Sequence, residues 1–263
     1  MASDRYDIEY NESMWEAEFI GAREFDGVYT EGRIGNVIGN IQKNGSPDGL
    51  GYSYGFYGGS LILWDLFDEN DKRRDLSLAP YQINENDEKV AWKNNQIVQR
   101  ACGKFRREWE TSKPRHKNYT QENYPILRYA DVLLMLAEAE NEVNQGPTDL
   151  AIESINMVRR RAGIEPLPTT LSYKEFQQEV RDERARELCF ESLRRYDLVR
   201  WGIYVDAIKK LGEVAANDPR WATGSNYTTA EAFALRTAKK HEFFPIPTQE
   251  LTINTELRQN PLW

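Results

Sequence analysis

The sequence predicts a mainly α protein, in which helix pairs alternate with long irregular loops and a few short strands. Three observations carry that prediction. Two apolar-periodic runs between Ile126 and Gly163 are joined only by a Gly-Pro turn, a third run opens at Ser172 with a helix-start signature, and the first third of the chain is dense in glycine.

The totals suit a soluble globular protein. In 263 residues, 40% are hydrophobic and 29% charged, which is enough apolar side chain for one large core or two small ones. The net charge is −8 and the arginines are interleaved with acids, so no basic face for a phosphate backbone is evident and no nucleic-acid partner is expected. Cys102 and Cys189 lie far apart with no C-x-x-C, the pattern of two buried free thiols. No run approaches the roughly 18 apolar residues of a membrane span. "MASDRYDIEY" lacks the basic-then-apolar pattern of a signal peptide. Seven tryptophans and fourteen tyrosines are a surplus that cores use, and that sugar- or protein-binding surfaces use as well.

Taken in order, "NESMWEAEFI" alternates imperfectly and reads as a short strand with Trp15 and Phe19 half-buried. From Gly21 to Gly59 the glycine density speaks against regular helix and for a long, bent loop of the kind that often carries function. Ser60 is placed to cap a short helix in "SLILWDLF". "CGKFRREWE" reads as a strand leading into the helical half.

The run from Ile126 to Asn144 repeats apolar or small residues at Tyr129, Val132, Leu133, Leu136, Ala137 and Val143, and predicts a packed helix. Gly146-Pro147 ends it. A second helix over Thr148–Ala162 buries Leu150, Ile152, Ile155 and Val158 and stops at Gly163. So short a connection makes the two antiparallel. Ser172 with Glu175 forms a capping box for a third run that continues to Gly202. The tail "HEFFPIPTQELTINTELRQNPLW" carries two spaced prolines and reads as extended chain docked on helices.

Within the third run, "ERARELCFESLRRYDLVRWG" is the most charged stretch. On a 3.6-residue helix, Leu188, Cys189, Ser192 and Tyr196 share one side, while Arg184, Glu187, Glu191 and Arg194 fall at ion-pair spacings. That predicts a solvated, salt-bridged scaffold helix. Catalytic carboxylates would need one raised pKa, whereas neighbouring arginines keep these ionised.

"YPILRYADVLLMLAEAENE", "INMVRRRAGI", "ERARELCFESLRRYDLVRWG" and "FFPIPTQEL…LRQNPLW" together resemble the SusD/RagB family, in the family's order, with weaker likeness at "ESMWEAEF" and "DENDKRRDL". The resemblance implies tetratricopeptide-like helix pairs beneath irregular ligand loops. It implies non-enzymatic capture of oligosaccharide at the outer membrane and delivery to a SusC-like TonB-dependent transporter. Three departures stand out. Family proteins run to about twice this length, the expected N-terminal half, signal peptide and lipid-bearing cysteine are not in this chain, and Ser192 and Arg195 stand where the family often has glycine and tryptophan. The expectation is a C-terminal portion anchored to the membrane only through a lipid outside this chain. Residues 1–123 would then form the loop-rich ligand-facing region, 124–211 the helical scaffold, and 212–263 a loop and docking tail.

For a ligand, the leading candidate is "GLGYSYGFYGG", where Tyr52, Tyr54, Phe56 and Tyr57 sit among glycines with Arg33, Asn36, Asn40 and Asn44 nearby. Pyranose C–H faces stack on aromatic rings, and sugar hydroxyls need fixed donors and acceptors. The competing reading has these tyrosines packing the loop onto the domain. A second candidate is the loop "NDPRWATGSNYT" with Trp221 and Tyr227, against an ordinary loop with one anchoring ring. Trp201 and Trp263 read as core. His116 and His241 have no partner at metal-ligand spacing, and no phosphate-binding glycine loop or serine elbow is present, so neither metal nor cofactor is expected. The rival functions are a helical scaffold that binds protein or peptide and, on acid content alone, a glycoside hydrolase.

Overall fold

The computed structural model describes residues 12–19, 24–25, 28–29, 32–111, 113–221 and 225–263, with the side chains of 24–25, 28–29 and 225–228 left undescribed. It divides into two compact units, residues 1–193 and 194–263. Helices dominate, as the sequence predicts.

In the first unit the scaffold is three helices: α4 (Tyr129–Asn144), α5 (Asp149–Ala162) and α6 (Tyr173–Glu187). Ala130, Leu133, Leu134 and Ala137 from α4 close on Ile152, Ile155 and Val158 from α5 and on Phe176 and Val180 from α6. The local signals hold. Thr148 caps α5 through the amide of Ala151, Gly163 ends it in the left-handed region, and Ser172 with Glu175 completes both halves of the capping box. Buried amides staple the helices: Asn141 Nδ2 donates to the Tyr173 carbonyl, and Asn156 both donates to and accepts from the backbone of Leu167.

Several boundaries and burials differ from expectation. Residues 126–128 are not helical but end strand β8 (Tyr124–Arg128), which pairs antiparallel with β1 (Ser13–Ala17). A partner more than a hundred residues away overrides local helix propensity. Trp15 on β1 is exposed, as are Tyr129, Val143 and Leu150 on α4 and α5. The third run does not reach Gly202 as one helix: it stops at Glu187, Phe190 and Ser192 take positive φ (67° and 61°), and a separate helix begins at Arg194.

The loop-rich part of this unit is ordered by small elements. These are the paired strands β2 (Glu24–Phe25) and β3 (Val28–Tyr29), then α1 (Ile34–Val37), β4 (Gln42–Lys43), β5 (Tyr52–Ser53), α2 (Leu61–Leu66), α3 (Arg73–Ser77), β6 (Tyr81–Ile83) and β7 (Lys89–Ala91). Strands β4 to β7 form one sheet in the order β5-β4-β6-β7, parallel only between β4 and β6. The glycine-rich stretch therefore does hold a turn of helix, α1, and Ser60 caps α2 as predicted. "CGKFRREWE" is not a strand: after an isolated bridge at Cys102 it turns into the single 3-10 turn Arg107–Trp109.

What joins this part to the helices is buried charge. Arg128 donates to Glu12 (2.7 Å), Glu187 (3.0 Å) and Glu191 (2.8 Å). Arg73 bonds Asp71 (2.7 Å), Glu183 (2.6 Å) and Glu187 (2.9 Å), Lys104 bonds Glu191 (2.6 Å), and Arg161 pairs with Glu187. Glu183, Glu187 and Glu191 are buried, so the expected solvated helix is instead the inner wall of an ion cluster. Burial alone would raise the Glu187 carboxyl, but Arg128, Arg161 and Arg73 hold it well below the usual range. Burial pushes the Cys102 thiol up to about 12, consistent with an inert interior cysteine; Cys189 is buried and free as well.

The second unit comprises α7 (Arg194–Arg200), α8 (Tyr204–Asn217), α9 (Ser225–Leu235), a 3-10 turn (Lys239–Glu242) and α10 (Thr248–Ile253). Arg195 organises it, bonding the Tyr204 hydroxyl and the His241 carbonyl (both 2.5 Å) and stacking on Tyr204 and Phe244. The tail is docked, yet it contains the short helix α10. Trp263 is not core: it is partly exposed, with Lys240 over its ring and its indole N–H on the Lys240 carbonyl (2.9 Å).

Removing one partner of a buried ion cluster leaves the others unmatched and costs about 3–5 kcal/mol, against about 1 kcal/mol for a lost helix cap. Glu187→Ala is therefore expected to lower the urea midpoint of the first unit far more than Thr148→Ala. The depressed Glu187 and Glu191 carboxyls contribute stability that is full above the unfolded glutamate value, about 4.3, and is lost as pH falls below it. Urea titrations of the wild type from pH 7 downward should show that loss, with a shallower slope in Glu187→Gln.

Candidate functional site

The ring-bearing loop is held from beneath by its own backbone. The Tyr54 amide donates to the Asn36 carbonyl (2.8 Å) and the Phe56 amide to the Val37 carbonyl (3.0 Å), which lays the segment along α1. Gly51 (φ +95°) and Gly55 (φ +63°) take conformations that side chains resist, and a Cβ on Gly51 would meet the Arg107 guanidinium at 2.8 Å.

Arg107 is the second support. It is fully buried and donates to four carbonyls: Tyr52 (2.8 Å), Lys117 (2.9 Å), His116 (2.7 Å) and Tyr119 (3.1 Å). Loops cannot satisfy these carbonyls among themselves, and a planar five-donor group can. Its charge is met by Glu110, 2.6 Å from Nε. Burial, and then the adjoining Glu122 carboxylate, push Glu110 up to about 7 against the pull of Arg107. Both Glu122 oxygens are buried without a hydrogen-bond partner among the described residues.

So supported, the rings face outward. Tyr54 and Phe56 stack with centroids 4.9 Å apart and planes 11° from parallel, and Tyr52 meets Tyr54 edge-on at 5.0 Å. Tyr54, Phe56 and Tyr57 are 40%, 68% and 57% exposed. Lys117 lies 5.2 Å over the Tyr52 ring. Such a face offers apolar contact ringed by hydroxyls and one cation.

Of the expected polar partners, Arg33 is exposed and Asn44 partly so, while Asn36 and Asn40 are buried. Asn36 spends its amide on the Tyr52 and Lys117 carbonyls (2.9 and 3.1 Å), which makes it a support of the loop rather than a ligand group. Asn44 bonds Asp87 (2.9 Å). Trp221 and Tyr227 belong to the second unit. Trp221 is partly buried, the segment from Ser225 is helix α9 rather than loop, and the Tyr227 side chain lies outside the described residues. A surface depression near Trp221 is lined by Lys210, Glu213, Val214, Asn217, Asp218 and Pro219, and Trp221 is not among its walls. Among the described residues, no three His, Cys, Asp or Glu are grouped to hold a metal ion.

Residues that sequence reasoning missed lie close by in the sheet region. The Arg106 guanidinium lies over the rings of Tyr81 (5.2 Å) and Trp109 (4.9 Å), and those of Arg74 and Arg100 both lie over Trp64. None of these pairs has a telling sequence spacing; the fold brings them together.

Compared with known proteins, residues 17–263 match the model of the SusD family. The chain belongs to the SusD family. It is 37% identical over 142 residues to SusD-like protein P25 of Formosa agariphila, a match covering 53% of this chain and 24% of that protein. It is 31% identical over 145 residues to the starch-binding protein SusD of Bacteroides thetaiotaomicron, covering 55% of this chain and 22% of the relative. A crystal structure of a SusD homolog from Bacteroides thetaiotaomicron superposes with a TM-score of 0.75 at 30% identity, over 96% of this chain and 52% of that one. The matched stretches thus span about a quarter of the curated relatives, and the fold about half of the solved one.

Because the folded protein keeps Glu110 protonated to higher pH than an unfolded chain does, this contact stabilises at acid pH, and its contribution is lost as pH rises from about 4.5 to about 7. Glu122→Gln removes the neighbouring carboxylate that helps push Glu110 up. Its urea midpoint is expected to gain on the wild type between pH 5 and pH 8; parallel curves would contradict the effect of Glu122 on Glu110.

Proposed function

We propose that this chain captures an oligosaccharide at the cell surface of the outer membrane, without cutting it, for delivery to a SusC-like TonB-dependent transporter. The observation that carries this reading is the outward Tyr54–Phe56 stack with Tyr57 beside it, fixed by Arg107 and Asn36 before any ligand arrives. Pyranose rings bury their C–H faces on such surfaces, and rings already ordered lose little entropy when they do. Family membership supports the surface location and the transporter, and the Bacteroides thetaiotaomicron relative is named a starch-binding protein.

Binding without hydrolysis fits the state of the carboxylates. A glycosidase needs two that face a cleft. Here Glu183, Glu187 and Glu191 are tied up in the ion cluster, and Glu110, with its raised carboxyl, is clamped by Arg107 beneath the loop.

Each ring removed should cost roughly 1–3 kcal/mol of binding. In calorimetric titrations against a panel of neutral and charged oligosaccharides, Tyr54→Ala and Phe56→Ala are expected to weaken affinity about tenfold or more while the thermal melt is preserved. Unchanged affinity for a sugar that binds the wild type would rule the platform out. Incubation with polysaccharide should release no reducing ends; steady release would favour a hydrolase instead.

A further inference from the structure

Trp64, on α2, carries two cations on one indole. The guanidinium of Arg74, from α3, lies 4.9 Å from the ring centroid and that of Arg100 lies 4.5 Å from it. Among the described residues, Asp75 is the one carboxylate within 4 Å of either group: 3.2 Å from Arg100 Nη1 and 3.7 Å from Arg74 Nε, with its side chain 55% exposed. No protein acceptor hydrogen-bonds the Arg74 guanidinium among the described residues, and the buried Nε atoms of both arginines are unpartnered. Two cations sharing a single solvent-facing anion leave one positive charge unmatched. That contrasts with the rest of this unit, where Arg73 and Arg128 each meet several carboxylates. It is also unusual for a chain of net charge −8. Consistent with it, burial and the neighbouring Arg74 pull Arg100 below its ordinary value despite Asp75.

Stacking uses the face of a guanidinium and leaves its N–H edge for a planar or tetrahedral oxyanion. The location ties this edge to the ring platform. Cys102 donates its amide to the Tyr57 carbonyl (3.1 Å) and Gly59 donates to the Arg100 carbonyl (2.9 Å). Arg100 therefore lies across from Gly59, two residues or about 7 Å of extended chain from Tyr57.

We propose that Arg74 and Arg100 on Trp64 form an anion subsite beside the Tyr54–Tyr57 platform, so that the glycan this protein takes carries carboxylate or sulfate-ester groups. Arg74 is the accessible donor, Arg100 backs it, and Asp75 competes with the ligand for both. The inference rests on the glycan-capturing reading above and adds the charge class of the sugar.

The test is calorimetry on the full chain with matched pairs: oligogalacturonate against its methyl ester, and a sulfated galactan oligosaccharide against its desulfated form. One charged member is expected to bind about tenfold or more tighter than its uncharged twin, and which pair shows this tells carboxylate from sulfate. The advantage should shrink as salt is raised. Arg74→Gln should bring the charged ligand down to its twin, and Asp75→Asn, which removes the competing anion, should tighten it. Equal affinities within both pairs, or an advantage that survives Arg74→Gln and ignores Asp75→Asn, overturns the subsite while leaving glycan capture standing. Binding of no sugar at all overturns both.

Discussion

The helical scaffold of the first unit and the segments docked on it are arranged around the carboxylate of Glu187. It ends α6, where a helix exposes unpaired carbonyls and disfavours negative charge by roughly 0.3–1 kcal/mol. Arg73, Arg128 and Arg161 reverse that penalty by closing on the carboxylate from three different parts of the chain. Lys104 and Arg128 also donate to the Glu187 main-chain carbonyl (2.6 and 3.1 Å), so the ion cluster doubles as the C-terminal cap of the helix. A cluster of this kind adds little net stability over apolar packing of the same volume. Its effect is selective: strand β8, the end of α5, α3 and the segment around Lys104 can dock on α6 only in the arrangement in which every charge finds its partner.

The same device recurs on a smaller scale under the ring-bearing loop. Irregular chain leaves carbonyls without ladder partners, and burying them unpaired would cost about 1–3 kcal/mol each. Arg107 satisfies four at once and binds three separate stretches, 52, 116–117 and 119, into one body. Asn36 repeats two of those contacts from α1. The rings point outward because the inward side of the loop is occupied by guanidinium and amide. Of the four carbonyls that Arg107 takes, only that of Tyr52, in β5, belongs to regular secondary structure.

The fold was legible in the sequence wherever short-range physics decides it. Periodicity placed α4 and α5, the Ser172–Glu175 box opened α6, and Ser60 capped α2. It was not legible where a remote partner decides. Ile126–Arg128 continue the helical period, yet β1 recruits them into a strand. Glu183, Glu187 and Glu191 have the spacing of surface ion pairs, and only Arg73, Lys104 and Arg128 from elsewhere make them interior. Ser192 shows the same limit in backbone form: its φ of +61° is the conformation glycine adopts without strain, a cost that the residue type conceals. For the candidate site, the aromatic rings could be read from their glycine-rich setting. Arg107 and Asn36 could not be read as supports, since nothing in a lone sequence says which polar side chain will turn inward to meet a carbonyl.

The acid content of the chain takes its meaning from this arrangement. Forty-two Asp and Glu residues invite a hydrolytic reading, but a carboxylate can serve as acid or nucleophile only if a substrate can reach it. Glu187 and Glu191 are buried and held ionised by arginine and lysine, and Glu110, the one among them whose carboxyl rises to about 7, is enclosed with Arg107 and Glu122. These three carboxyls are thus enclosed, while the proposed platform presents the exposed rings of Tyr54, Phe56 and Tyr57. Aromatic faces offer contact but not the pair of carboxylates with which a glycosidase flanks the scissile bond. On the proposed reading, a surface built this way holds its ligand in one place and leaves the bonds within it alone.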